Sequence, residues 1–127
     1  MKKIINTDNA PSPVGPYNQS ILANGTLYVS GQIALDPSTG NLVIDNIENE
    51  THQVMKNLSN VLAAADMTFE HVVKCSVFVS DMGMYNRINE VYAQYFDKST
   101  APARELVEVV NLPKYVNVEI SCIAAKV

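Results

Sequence analysis

HVVKCSVFVS, residues 71–80, is the stretch that decides the fold. Val73, Cys75, Val77 and Val79 alternate with Lys74, Ser76, Phe78 and Ser80. A period of two with one strongly apolar face is the pattern of a β-strand inside a sheet. The sequence on either side keeps a different period. Upstream, over 47–66, Ile47, Thr51, Val54, Leu58, Val61, Leu62 and Ala65 recur at spacings of three and four. That predicts an amphipathic helix of about five turns. Downstream, Ser80 or Asp81 can cap a second helix, whose stripe is Tyr85, Ile88, Val91, Tyr92, Tyr95 and Phe96.

The remaining segments read as strands and turns. Residues 2–6 suit a short edge strand. APSPVGPY (10–17) packs three prolines and a glycine into eight residues, a stiff irregular loop. Residues 18–23 and 26–35 flank Asn24-Gly25, a dipeptide that takes the positive φ angles of a type I′ turn, so they form a hairpin. LDPSTGNLV (35–43) supplies a second turn. Two strands, 104–110 and 116–124, follow around Leu112-Pro113-Lys114. The order β-β-β-α-β-α-β-β fits one mixed sheet with both helices on one face, an α+β layer. The length of 127 residues fits a single domain over 1–127.

Composition bounds the function. A content of 47% hydrophobic and 17% charged residues describes a globular chain able to build a core. The net charge of −4 and the scattered lysines argue against nucleic acid as the main partner, because phosphate neutralisation needs clustered cations. No segment approaches the about 20 apolar residues of a membrane span, or the apolar core of about 7–15 residues of a secretory signal. A cytoplasmic location is expected. Cys75 and Cys122 stand far apart inside apolar runs and read as buried thiols. With His52 and His71 in unrelated segments, no metal set is expected.

The two last strands raise the question of the sheet's second face. In 116–124, Val116, Val118, Ile120 and Cys122 point one way and Asn117, Glu119 and Ser121 the other. In 104–110, alternation separates Val107 and Val109 from Arg104, Leu106 and Glu108. If the more apolar sets meet the helices, the other face carries Arg104, Glu119 and Ser121 beside Leu106 and Phe78. Pattern alone leaves that face as either a solvated sheet surface or a subunit interface with a polar pocket. Arg104 is one of only two arginines. Arg87, on the second helix, reads as a surface charge.

Five runs, GPYNQS (15–20), YVSGQIALDPSTG (28–40), NEVYAQYF (89–96), APAR (101–104) and LPKYVNVEI (112–120), together resemble the Rid/YjgF family, the reactive intermediate deaminases. The resemblance spans nearly the whole chain in the right order. It implies a chorismate-mutase-like mixed sheet with two helices outside. It also implies a homotrimer with a central barrel-like sheet core and sites in clefts between subunits. The implied activity is hydrolysis of 2-imino acids and their enamine tautomers (2-iminobutanoate, 2-iminopropanoate) to 2-keto acids and ammonia, with no metal or organic cofactor. By position, Arg104 matches the arginine that binds the substrate carboxylate and Glu119 the glutamate associated with the hydrolytic water. Tyr17, Ser30, Gly31 and Asn89 match residues that line or shape the cleft. Glu105 and Leu106 depart from the small residues usual after that arginine. Leu106 shares Arg104's face and is expected to narrow the site.

The chemistry fits those residue types. A guanidinium is a planar fork that holds a carboxylate bidentately, fixing the imine carbon relative to a water. A carboxylate can take a proton from that water and return it to nitrogen. Glu119 is expected on Arg104's face, as base or as the group that orients Arg104. The alternatives are a non-catalytic carboxylate-binding or chaperone-like trimer and, less favoured by the charge, an endoribonuclease.

Overall fold

The computed structural model describes residues 1–126. The strands are β1 (Lys3–Ile5), β2 (Ser20–Ala23), β3 (Thr26–Gln32), β4 (Val72–Val79), β5 (Ala103–Glu108) and β6 (Val118–Ala125). The α-helices are α1 (Ile47–Ala64) and α2 (Tyr85–Tyr92). They form an α+β fold with one six-stranded mixed sheet in the order β1-β2-β3-β6-β4-β5. Every neighbouring pair is antiparallel except β4 and β5, which run parallel because α2 carries the chain back between them.

Local signals explain the elements. Asn24 and Gly25 take φ of 52° and 78°, closing the β2–β3 hairpin between Ala23 and Thr26 as a two-residue turn. Asn46 caps α1 by accepting the N–H of Asn49 at 2.8 Å. The helix ends in a Schellman motif. Asp66 sits at φ 58°, and the N–H groups of Asp66 and Met67 return to the carbonyls of Ala63 and Leu62. Asp81 caps a short 3₁₀ turn, Met82–Met84, that leads into α2. A further 3₁₀ turn, Ala93–Tyr95, ends α2 early, so the expected stripe continues past the α-helix proper.

The core lies between the sheet and the two helices. Val54, Leu58, Val61 and Leu62 of α1 and Ile88 of α2 are buried with Leu27, Cys75, Val77, Val79, Val118, Ile120 and Cys122 of the sheet. Full burial of each aliphatic side chain is worth about 1.5–3 kcal/mol. Cys75 and Cys122 are register partners and both free thiols. Burial pushes both thiols up, so they stay protonated and unreactive. Val73 departs from the expected apolar face and is exposed. A register irregularity between Val72 and Lys74 shifts the alternation, and Val72 takes the buried place instead.

The larger correction concerns β5. Its register partners are Cys75 for Arg104 and Val77 for Leu106. Paired residues share a face, so Arg104 and Leu106 lie on the helix side with the buried Cys75 and Val77. Val107 pairs with Phe78 on the open side, where it is exposed. Glu119 also pairs with Phe78. Arg104 and Glu119 therefore occupy opposite faces of the sheet, contrary to the expectation from alternation. β5 is an edge strand over which the helices give only partial cover, so its apolar residues do not mark the core side. Glu105 does lie opposite Arg104, as expected, in an ion pair with Lys74 (2.9 Å) and accepting the Ser76 hydroxyl.

Candidate functional site

The candidate residues fall into two hollows. The first is floored by Arg104, with Asn89, Tyr92, Phe96 and Lys98 around it. Parallel pairing with β4 delivers Arg104 beneath α2. There Arg104 Nη1 donates to Asn89 Oδ1 at 2.9 Å and Nη2 donates to the Tyr85 hydroxyl at 3.0 Å. The guanidinium carbon lies 4.8 Å from the centroid of the Tyr92 ring, a cation–π distance. Burial pushes the Tyr92 phenol up, so the ring stays neutral under the cation. All three contacts are uncharged. No carboxylate lies within ion-pair distance of Arg104 among the described residues. The guanidinium is thus oriented, with its charge available to an anion.

The second hollow contains Tyr17, Gly31 and Glu119, with Pro113 and Lys114 at its edge. Glu119 is half-buried, and burial pushes its carboxyl above the usual range. Its carboxylate packs over Gly31: a β-carbon added there would stand 2.8 Å from Glu119 Cδ and Oε2. Gly31 lies in a register irregularity of β3, where Ser30 and Gly31 together oppose Ser121 between the pairs Val29–Cys122 and Gln32–Ile120. The missing side chain and the bulge let β6 bring Glu119 down onto the backbone.

Tyr17 is exposed on the proline-rich loop, and its hydroxyl accepts the Val14 N–H at 3.4 Å. The loop is held from within. Gln19 is buried and donates to the carbonyls of Thr7, Ala10 and Pro11 while accepting the Thr7 N–H. The Ser30 hydroxyl donates to the Asn18 carbonyl at 2.6 Å. Ser30 thus fastens the Tyr17 loop to β3. Leu106 lies on Arg104's face, packed against the core, and does not line the first hollow.

The structure brings Arg104 to Asn89, and Tyr17 to Gly31 and Glu119, but does not bring the two groups together within one chain. Tyr85, which the spacing assigns to an apolar stripe, and Gln19 carry no signal in their spacing of the roles they take. Gln19 carries no periodicity, and its only signal is that a buried amide must find partners. Arg87 is exposed, as expected, yet it clasps Glu48 of α1 through Nε and Nη2 at 2.7 and 2.8 Å. No group of three metal-ligating side chains occurs among the described residues, and no helix is long and apolar enough to cross a membrane.

Comparison with known proteins agrees with this arrangement of elements. The family described as Endoribonuclease L-PSP matches residues 7–126. A RutC family protein of Synechocystis sp. is 54% identical over 123 residues, 96% of this chain and 95% of that one. The 2-iminobutanoate/2-iminopropanoate deaminase of Homo sapiens is 43% identical over 98% of this chain and 90% of its own length. The solved structure of the Rid-family protein YyfA from Yersinia pestis superposes with a TM-score of 0.96 at 46% identity, covering 99% of this chain and all of that one. With a family model matching residues 7–126, and with relatives more than 40% identical over nearly its full length, the chain belongs to the Rid/YjgF family.

Proposed function

We propose that the protein hydrolyses 2-imino acids and their enamine tautomers to 2-keto acids and ammonia, at a site completed between copies of the chain in a homotrimer. The observation that carries this reading is the Arg104 guanidinium, held by Asn89, Tyr85 and the Tyr92 ring with no anionic partner among the described residues. Such a group is prepared for a substrate carboxylate. The deaminase name of the human relative supplies the reaction class.

Arg104 of one copy binds the carboxylate, and Glu119 of a neighbour receives a proton as water adds to the imine carbon. The substrate reacts as its protonated imine, so adding hydroxide turns the C=N bond into a neutral carbinolamine carrying hydroxyl and amino groups. Glu119 returns its proton to nitrogen, the hydroxyl closes to C=O as the C–N bond breaks, its proton passes to the leaving ammonia, and keto acid and ammonium depart. A carboxyl raised by burial suits both transfers, since its proton affinity lies nearer neutrality. The Tyr17 hydroxyl donates to substrate from the same hollow. The open sheet face, with Ile4, Tyr28, Phe78 and Val107 among polar residues, supports burial against other copies.

The test is complementation. Arg104→Ala and Glu119→Gln chains are each expected to fall on the order of 100-fold or more, to a small residual rate, in a dehydratase-coupled assay of keto-acid release. Randomly mixed trimers should recover about a quarter of wild-type activity, because about that share of sites takes both intact residues. Failure of mixtures to recover activity overturns the shared site. Keto-acid binding without imine turnover in the wild type favours a carboxylate-binding role instead.

A further inference from the structure

Glu50 carries a carboxylate with no exposed surface, yet it pairs with no cation among the described residues. A buried carboxylate is costly unless both oxygens are fully hydrogen-bonded. Here Oε2 accepts the backbone N–H of Asn117 at 2.7 Å and of Val118 at 3.2 Å, and Oε1 accepts Asn117 Nδ2 at 2.8 Å. All three donors belong to the two residues immediately before Glu119.

That joint needs restraint. Upstream of it, Lys114 and Tyr115 both take left-handed backbone at φ 55°, a conformation that disfavours side-chain-bearing residues. The chain must then enter β6 in a register that sets Glu119 over Gly31. Asn117 is clamped from a second side by Ser80 at the end of β4. The Ser80 N–H donates to the Asn117 carbonyl at 3.0 Å, and its hydroxyl donates to Oδ1 at 3.3 Å. Glu119 itself has no hydrogen bond or ion pair to another side chain among the described residues, so its placement is inherited from the backbone. One charged group on α1 thereby ties the helix, the end of β4 and the start of β6 at the residue pair that aims Glu119.

We propose that Glu50 is a positioning residue for Glu119, acting through Asn117 and Val118 to hold that carboxylate over Gly31. The inference rests on the proposed role of Glu119 in water addition. Glu50 touches no substrate. Its charge makes the hydrogen bonds that fix the joint roughly twice as strong as a neutral acceptor would.

A double-mutant cycle in the intact protein tests it. Glu50→Ala is expected to lower kcat on the order of 10- to 100-fold, since a displacement of about 1 Å in a reacting group costs on that scale. Substrate is anchored by Arg104, so KM should stay within about twofold. Glu50→Gln keeps the length and one acceptor but loses the charge and turns an amide donor toward one of the three N–H donors, so its kcat should fall between those of Glu50→Ala and wild type. In a Glu119→Gln background, Glu50→Ala should add no further loss, because its effect passes through the missing carboxylate. Should Glu50→Ala not fold, Asn117→Ala replaces it in the same cycle, with a smaller loss that also vanishes in Glu119→Gln. Equal losses in both backgrounds, a KM effect alone, or full activity in Glu50→Ala while Glu119→Gln is impaired would overturn the inference and leave the role of Glu119 standing. Full activity in Glu119→Gln would instead overturn the role of Glu119, and the inference with it.

Discussion

Replacing Gly31 with alanine separates geometry from stability at the proposed site. The new β-carbon would meet Glu119 Cδ and Oε2 at 2.8 Å, whereas ordinary contacts begin at 3.4 Å. The carboxylate must therefore move by about 0.6 Å, the difference of those two distances. The obstructed atoms are the end of a flexible side chain, so the displacement is cheap: an off-rotamer adjustment costs about 0.5–1.5 kcal/mol. Alanine in a strand recovers about 0.5–1 kcal/mol of the entropy that glycine loses on folding. The terms nearly cancel, and Tm should shift by no more than about 5 °C. Catalysis has no such offset. A carboxylate displaced by more than half an ångström delivers the water badly, and kcat should fall on the order of 10- to 100-fold, with KM little changed because Arg104 is untouched. The measurements are steady-state keto-acid release from a coupled dehydratase and a thermal melt of the same preparation. A Gly31→Ala protein that melts normally and retains wild-type kcat would refute the placement of Glu119 as the group that directs water.

Three further outcomes follow from particular contacts. Arg104→Lys should lose roughly 10- to 150-fold in kcat/KM, because the planar fork and its charge-assisted bonds, about 1.5–3 kcal/mol, go with it; retention of activity would mean that charge alone suffices. Glu119 titrates above its ordinary value because burial disfavours the carboxylate, so between pH 4.5 and that raised value the folded state holds more protons than the unfolded one and stability falls with rising pH. Glu119→Gln, measured by urea midpoints, should match the wild type below this window and exceed it above; a pH-independent difference would contradict the cause assigned. Asp66→Gly should raise stability by about 0.5–1 kcal/mol, since Asp66 holds the left-handed end of α1 at φ 58°, and an unchanged or lower Tm would contradict that account.

The elements themselves were legible because each rests on short-range chemistry. Asn24-Gly25 fixes its turn by the φ angles it tolerates, and 47–66 shows its helix through side-chain spacing, two residues beyond its observed end at Ala64. The pairing of Asn89 with Arg104 was not legible: a 3₁₀ turn and a loop separate them, and their contact depends on where α2 sits over β5. Nothing in the spacing of 47–66 singles out Glu50 among the polar residues of that helix. Its burial appears only once the start of β6 folds over it.

By itself, the sequence determined the alternation along the strands except at Val73, where a register irregularity breaks it, the two helices, and the run of motifs that marks the family. What it left open is which of the two alternating faces meets the helices. In β6, and in β4 from Cys75 onward, the answer matched the apolar count, because those central strands are covered by the helices. In β5 it did not, since an edge strand takes its orientation from hydrogen-bond register with its neighbour. The pairing of Arg104 with Cys75 turned the arginine under α2. Tertiary structure alone therefore placed Arg104 and Glu119 on opposite faces of one sheet.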